Sequence, residues 1–126
     1  MSNDNLNSGR LSEKKAQGFL KVNGYKILQT NYKTKLGEVD IIAKDKDTFC
    51  FIEVKSRSSD RFGSGLDAVS NLKQKQISKA ALSFLKEKNP LDNKARFDVI
   101  SLDGSGSEEK ITLIKNAFEL DARFAY

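Results

Sequence analysis

The chain has no histidine and no tryptophan, one cysteine, one proline and no long apolar run. Each absence narrows the chemistry. Without histidine there are no Ser-His or Cys-His nucleophile pairs, no His-based zinc site and no imidazole general base. Cys50 stands alone, so it makes no internal disulfide and no thiolate metal site, and no oxidising compartment is implied. No apolar stretch approaches the ~20 residues that span a bilayer. The opening "MSNDNLNSGR" lacks the apolar centre of a signal peptide. The expectation is a cytosolic protein without a membrane partner, whose catalysis would use carboxylates, lysines, hydroxyls or a metal held by oxygen.

What the chain does have is charge. Of its 126 residues 31% are charged and 38% hydrophobic, and 22 Lys and Arg against 17 Asp and Glu give a net charge of +5. A chain of this length suits one domain, and its mild basicity suits a polyanionic partner. Residues 1–10 read as a flexible N-terminal tail and residues 11–126 as the domain. Leu11, Ala16, Phe19, Leu20 and Val22 form a rough helical stripe, with Ser12 as a cap and Gly24 as a left-handed stop. "YKILQTNY" reads as a strand. After a Ser/Gly/Arg loop over residues 56–66, a second helix is expected over 67–88. Its buried stripe is Val69, Leu72, Ile77, Ala80, Ala81, Phe84 and Leu85, and Asn89-Pro90 ends it. "RFDVISL" and "KITLIKNAF" are the last strands. The order is helix, three strands, helix, two strands.

The second and third strands carry the chemistry. "GEVDIIAKDKDTFCFIEVKSR", Gly37 to Arg57, reads as a hairpin turning at Lys46-Asp47. That turn pairs Ala43 with Cys50, Ile41 with Ile52 and Val39 with Val54 on an apolar face. The other face carries Ile42/Phe51, Asp40/Glu53 and Glu38/Lys55. A slip by one residue would mix the faces, so the pattern sets Asp40 opposite Glu53. Two like charges ~5 Å apart cost roughly 3 kcal/mol at an effective dielectric of ~20. Lys55, water or a divalent cation would relieve that repulsion. Mg²⁺ takes one or two carboxylates, keeps waters and shares phosphate oxygens. It could activate water at a phosphodiester, with Lys55 stabilising developing charge. The plain alternative is a solvated hairpin whose Glu38–Lys55 pair is worth ~0–1 kcal/mol. Ile42 and Phe51 on the charged face argue that it is partly covered, where unpaired carboxylates cost more.

These motifs resemble the YraN-like proteins, a bacterial family distantly related to the archaeal Holliday-junction resolvases within the PD-(D/E)XK nuclease superfamily. The resemblance runs from about Glu13 through "EKKAQGFLKVNGYKIL", "NYKTKLGEVDIIA", "FIEVKSRSSDRFG", "AVSNLKQKQISKAALSFL", "RFDVISL" and "IKNAF". It implies an α/β domain with a central mixed sheet flanked by helices, in the order αβββαββ. By resemblance, the metal-binding Asp falls on Asp40, the E-x-K on Glu53 and Lys55, and a helical carboxylate on Glu13. Glu38 belongs to the G-E-x-D motif, and a polar or basic residue on the following helix falls near Lys73 or Gln74. Lys33 stands where the family often has Arg, which keeps the position basic.

The expected function is nucleic-acid binding with Mg²⁺- or Mn²⁺-dependent phosphodiester hydrolysis, in branched DNA processing. The alternative is a binding or assembly module on a nuclease fold. Asp40 and Glu53 would hold the metal, Lys55 would act on the scissile phosphate or the attacking water, and Glu13 would assist. Lys73, Lys75, Arg57 and Arg61 would contact phosphates, which position nucleic acid without reading sequence. Glu38 and Gln74 are auxiliary. Junction resolvases generally act as dimers, so a homodimer is a further expectation, although no interface signature is present. "FGSG" lacks the G-K-[ST] of a phosphate-cradling loop. Cys50 and Phe51 read as core, while Tyr32 and Phe62 are candidates for stacking or for core.

Overall fold

Apolar alternation in the hairpin and a run of apolar residues in "RFDVISL" ask for a sheet covered on both faces. The computed structural model has that form. It describes residues 2–57, 69–88, 94–104 and 106–119, with side chains in the first helix from Gly9 onward. The elements are α1 (Ser2–Val22), β1 (Lys26–Lys33), β2 (Glu38–Asp45), β3 (Thr48–Arg57), α2 (Asn71–Lys88), β4 (Lys94–Asp103) and β5 (Lys110–Phe118). A single 3₁₀ turn, Gly106–Glu108, precedes β5. This is the expected αβββαββ order.

The five strands lie in the order β1-β2-β3-β4-β5. β3 and β4 run parallel, while the other neighbours are antiparallel. A parallel pair needs a long crossover, and α2 lies within it. The two helices cover opposite faces. Ala16 and Leu20 of α1 pack on Ile41, Ala43, Cys50, Ile52, Ile100 and Leu102. Ile77, Ala80, Ala81 and Phe84 of α2 pack on Ile42, Phe51, Phe97 and Val99. Phe84 anchors that side, meeting Tyr32, Phe49 and Phe51 edge-on at ring separations of 5.5, 5.8 and 5.9 Å. Tyr32 and Phe51 are therefore core residues. Phe62 lies outside the described residues.

Helix α1 starts at Ser2, well before the expected start at Leu11, so residues read as a tail continue the helix and Ser12 is not its cap. Once a helix is nucleated each added residue gains a hydrogen bond, and the polar Asn and Ser of this stretch do not prevent propagation. Its end is as expected. Gly24 takes φ +90°, Tyr25 N–H donates to Leu20 O at 2.9 Å, and Gly24 N–H donates to Lys21 O at 3.1 Å. This 6→1 and 5→2 pair is the Schellman closure, and only glycine adopts such a φ without strain.

Helix α2 starts later than expected. Ser70 caps it, its Oγ accepting the Lys73 N–H at 3.1 Å. Leu72, read as part of the buried stripe, is 66% exposed. The buried face is set by Ile77, Ala80, Ala81 and Phe84, and Leu72 precedes Ile77 by a spacing that turns it off that face.

Candidate metal centre

The hairpin register is the expected one through the turn: Ala43 faces Cys50, Ile42 faces Phe51 and Ile41 faces Ile52. Beyond Ile41 the ladder ends. There the Asp40 carboxylate replaces a backbone acceptor, its Oδ2 taking the Val54 N–H at 2.8 Å. The expected pairs Val39/Val54 and Glu38/Lys55 do not form as ladder pairs. Val39 packs under α2, whereas Val54 packs on the α1 side. The physical reason is local. An acid that hydrogen-bonds the neighbouring strand's backbone parts the strands and frees the backbone on either side to turn.

That break brings Asp40 within reach of two other carboxyls. Glu53 lies against the Asp40 carboxyl and is buried. Burial, the Asp40 charge and hydrogen bonding with Asp40 push Glu53 up to about 8, opposed by Lys73 and Lys55. Lys73 Nζ stands 3.7 Å from Glu53 Oε2, while buried Oε1 has no hydrogen-bond partner. Glu13, from α1, reaches the same region from the other side. Its pKa is raised by burial and by the charges of Asp40 and Glu38, against a hydrogen bond from Asn31 and the charge of Lys33. Glu13, Asp40 and Val54 line a cleft of about 320 Å³ between α1 and the sheet, together with Ser12 and Ser56.

The remaining candidates separate. Lys55 is half-buried on β3 and acts on Glu53 through its charge. Lys73 belongs to the acidic pair as much as to any outer surface. Gln74 donates its side-chain N–H to Val69 O at 2.7 Å, so its amide secures the start of α2. Lys75 is half-buried on α2, and Arg57 is half-buried at the end of β3. Glu38 is exposed and stands across from Lys33 in the β1–β2 ladder. Arg61 lies outside the described residues. Cys50 is core, its thiol pushed up to about 12, first by burial.

Does this arrangement suit a metal? Among the described residues no group of three carboxylates is close enough to hold an ion. Two carboxylates are enough for a Mg²⁺ that keeps waters and shares phosphate oxygens. Oε1 of Glu53 is buried beside a second carboxyl with no hydrogen-bond partner, while Lys73 faces the other oxygen. An all-oxygen set of this kind suits a hard cation.

Three features were missed in the sequence. Asn31 holds the left-handed φ of 52° within β1 and hydrogen-bonds Glu13. Its signal was weak: Asn tolerates that region better than other non-glycine residues. Lys33 and Lys35 converge with α2, as developed below. The third is a buried network on the α1 side of the sheet. Asp98, fully buried, accepts Arg96 Nε and Nη2 at 2.9 Å each, the Asn116 N–H at 2.9 Å and the Tyr25 hydroxyl at 3.4 Å. Arg96 also reaches Asp45 at 3.2 Å. Two carboxylates hold the guanidinium charged, raising its pKa further.

A mixed sheet between two helices, in αβββαββ order, with an acidic residue at a broken hairpin facing an E-x-K strand, defines a PD-(D/E)XK-like nuclease fold. The family model described as "Uncharacterised protein family UPF0102" matches residues 12–102. A UPF0102 protein of Syntrophus aciditrophicus is 47% identical over 116 residues, 92% of this chain and 91% of that protein. One from Geobacter metallireducens is 47% identical over 120 residues, 95% and 98%. A third, from Desulfosudis oleivorans, is 43% identical over 119 residues, 94% and 95%. The chain belongs to the UPF0102 family, in keeping with its YraN-like motifs.

Proposed function

We propose that the protein binds nucleic acid, specifically DNA, and hydrolyses its phosphodiester bonds with Mg²⁺ or Mn²⁺ held by Asp40 and Glu53. One observation carries the reading: a buried Glu53 with an orphaned oxygen, pressed against Asp40 and flanked by Lys73 and Lys55. The two lysines do not offset the burial and the Asp40 charge, since the Glu53 carboxyl is still raised to about 8, and strongly shifted carboxyls concentrate at functional sites.

Each residue then has a task. Asp40 would be one of the two carboxylates that hold a divalent ion, while its Oδ2 accepts the Val54 N–H. Glu53 would be the other ligand, in its ionised form, with Oε1 free of other hydrogen-bond partners. Lys55, on the same strand, offers a cation where charge develops on the phosphate. Glu13, with a raised pKa beside Asp40, is suited to exchange protons with a water in the cleft. A divalent ion, when bound, supplies Lewis-acid polarisation and water activation.

A second reading is favoured by Lys73, whose Nζ already stands 3.7 Å from Glu53 Oε2 and supplies a cation to the pair. On that reading the fold binds nucleic acid without turnover. Incubating branched, flapped, single-stranded and duplex DNAs with Mg²⁺ or Mn²⁺ separates the two. Cleavage by the native protein that Asp40→Asn abolishes supports hydrolysis. Undiminished cleavage by Asp40→Asn refutes the site, and binding without cutting favours the second reading.

A further inference from the structure

The segment "NYKTKLGE" places lysines on either side of Thr34, just before β2. In sequence they are two surface cations on a turn. In the fold they face a third. The β1–β2 turn and α2 enclose a cleft of about 300 Å³ lined by Lys33, Lys35, Lys73, Gln76, Thr34 and Glu38, with exposed Leu36 on its edge. Three cations against one carboxylate leave the lining of this open cleft with an excess of positive charge.

The turn is built to hold its lysines there. Thr34 Oγ1 accepts the N–H groups of Leu36 and Gly37, each at 3.1 Å, and donates to Gly37 O at 3.0 Å. Thr34 N–H donates to the same oxygen at 2.8 Å. Gly37 then packs its backbone directly on that of Gln76, where any Cβ would collide with the Gln76 carbonyl. A side chain elsewhere could rotate aside, but helix backbone cannot. The glycine thus clamps the turn onto α2, one helical turn from Lys73.

The cleft adjoins the acidic centre through shared residues. Lys73 lines it while standing 3.7 Å from Glu53, and Lys33 also acts on Glu13 through its charge. We propose that the cleft between the β1–β2 turn and α2 is a phosphate subsite, in which Lys33, Lys35 and Lys73 grip the nucleic-acid backbone beside the scissile bond. Lysine is a mobile point charge rather than a planar fork, so the subsite reads charge and spacing, not base identity. The inference rests on the proposed function, because it takes the nucleic acid at the acidic pair as its ligand. It adds residues from β1 and its turn to a surface that α2 and the β3 end alone do not complete.

The test is equilibrium binding of labelled duplex and four-way-junction DNA by fluorescence anisotropy, across a salt series. Ca²⁺ replaces Mg²⁺ so that no strand is cut. The native chain is compared with Lys33→Ala/Lys35→Ala, and with Lys26→Ala/Lys94→Ala as a control at the other end of the strands. Each lost phosphate contact lowers the slope of log affinity against log salt by about 0.9. The expected result for the cleft variant is a slope smaller by roughly 1–2 and an affinity at least about 10-fold weaker at low salt, with the control unchanged. Both cleft lysines are exposed, so the thermal midpoint checks folding. Should the double variant lose its fold, Lys35→Gln alone carries the test, with about half the slope change.

Native binding with a steep slope that the cleft variant keeps overturns the subsite and leaves the functional reading standing. A native chain that binds no DNA overturns both.

Discussion

Replacing Glu53 by Gln removes a proton-binding group while keeping its shape, and the consequence is calculable. In the folded chain this carboxyl is raised from 4.5 to about 8 by burial and by Asp40. Between those values the folded state holds a proton that the unfolded state has released. Stability is therefore fully present below about pH 4.5 and is lost as the pH rises through about 8. At 1.36 kcal/mol per unit, the loss is up to about 4–5 kcal/mol, against a typical domain total of about 5–15 kcal/mol. Gln cannot ionise, so its variant escapes this loss. Glu13, whose pKa is also raised, titrates in both proteins and cancels in the comparison. The assay is urea unfolding followed by circular dichroism at pH 5, 6, 7 and 8.5 with a chelator present. Between the extremes the stability difference should swing by about 3–4 kcal/mol in favour of Glu53→Gln. Adding Mn²⁺ at pH 8 should then restabilise the native chain alone, by about 2.7 kcal/mol at a hundredfold excess over Kd. Parallel pH profiles for the two proteins would refute the strained pair.

Other expectations concern the frame around this pair. Asp98→Ala leaves the half-buried Arg96 guanidinium with Asp45 as its remaining carboxylate and the Asn116 N–H without its acceptor, and should cost about 2–4 kcal/mol in urea unfolding. A cost below about 1 kcal/mol would mean that the network is not structural. Asn31→Gly retains the left-handed backbone but removes the hydrogen bond to Glu13, so the Glu13 carboxyl should titrate higher still by carbon-detected NMR. An unmoved titration would remove Asn31 from the site. Lys73→Gln takes a cation from Glu53 and should raise that group's pKa in the same measurement. A fall would contradict the ion pair.

The hairpin shows how far local pattern reaches. Its register near the turn was legible because one face is entirely apolar there, and a slip would have buried a charge. The break at Asp40 was not legible, because it depends on a side chain taking the Val54 N–H from the adjacent strand. The meeting of Asp40 with Glu53 survived that break for a different reason from the expected one: the carboxyls approach where the strands part, not across a regular ladder. Leu72 lies inside α2 but five residues before Ile77, a spacing that turns it off the buried face despite its apolar side chain. Gln74, expected as an auxiliary residue, uses one of its two amide N–H donors to hold Val69 O at the start of α2. Lys33 and Lys35 gained meaning only when Gly37 met Gln76. In the Tyr25–Arg96–Asp98 network the i, i+2 pair on β4 is local, but Tyr25 comes from far earlier in the chain and no local period signals its arrival.

The central claim is that Asp40 and Glu53 form a seat for a divalent ion, and calorimetric titration of Mn²⁺ tests it most directly. Run at pH 6.5 and pH 8 in buffers of different ionisation enthalpy, it reports both affinity and protons released. The account predicts one ion bound by the native chain, tighter at pH 8, with a proton leaving at pH 6.5, and no such binding by Asp40→Asn or Glu53→Gln. Equal binding by those variants, or no binding by the native chain at millimolar Mn²⁺, would contradict it.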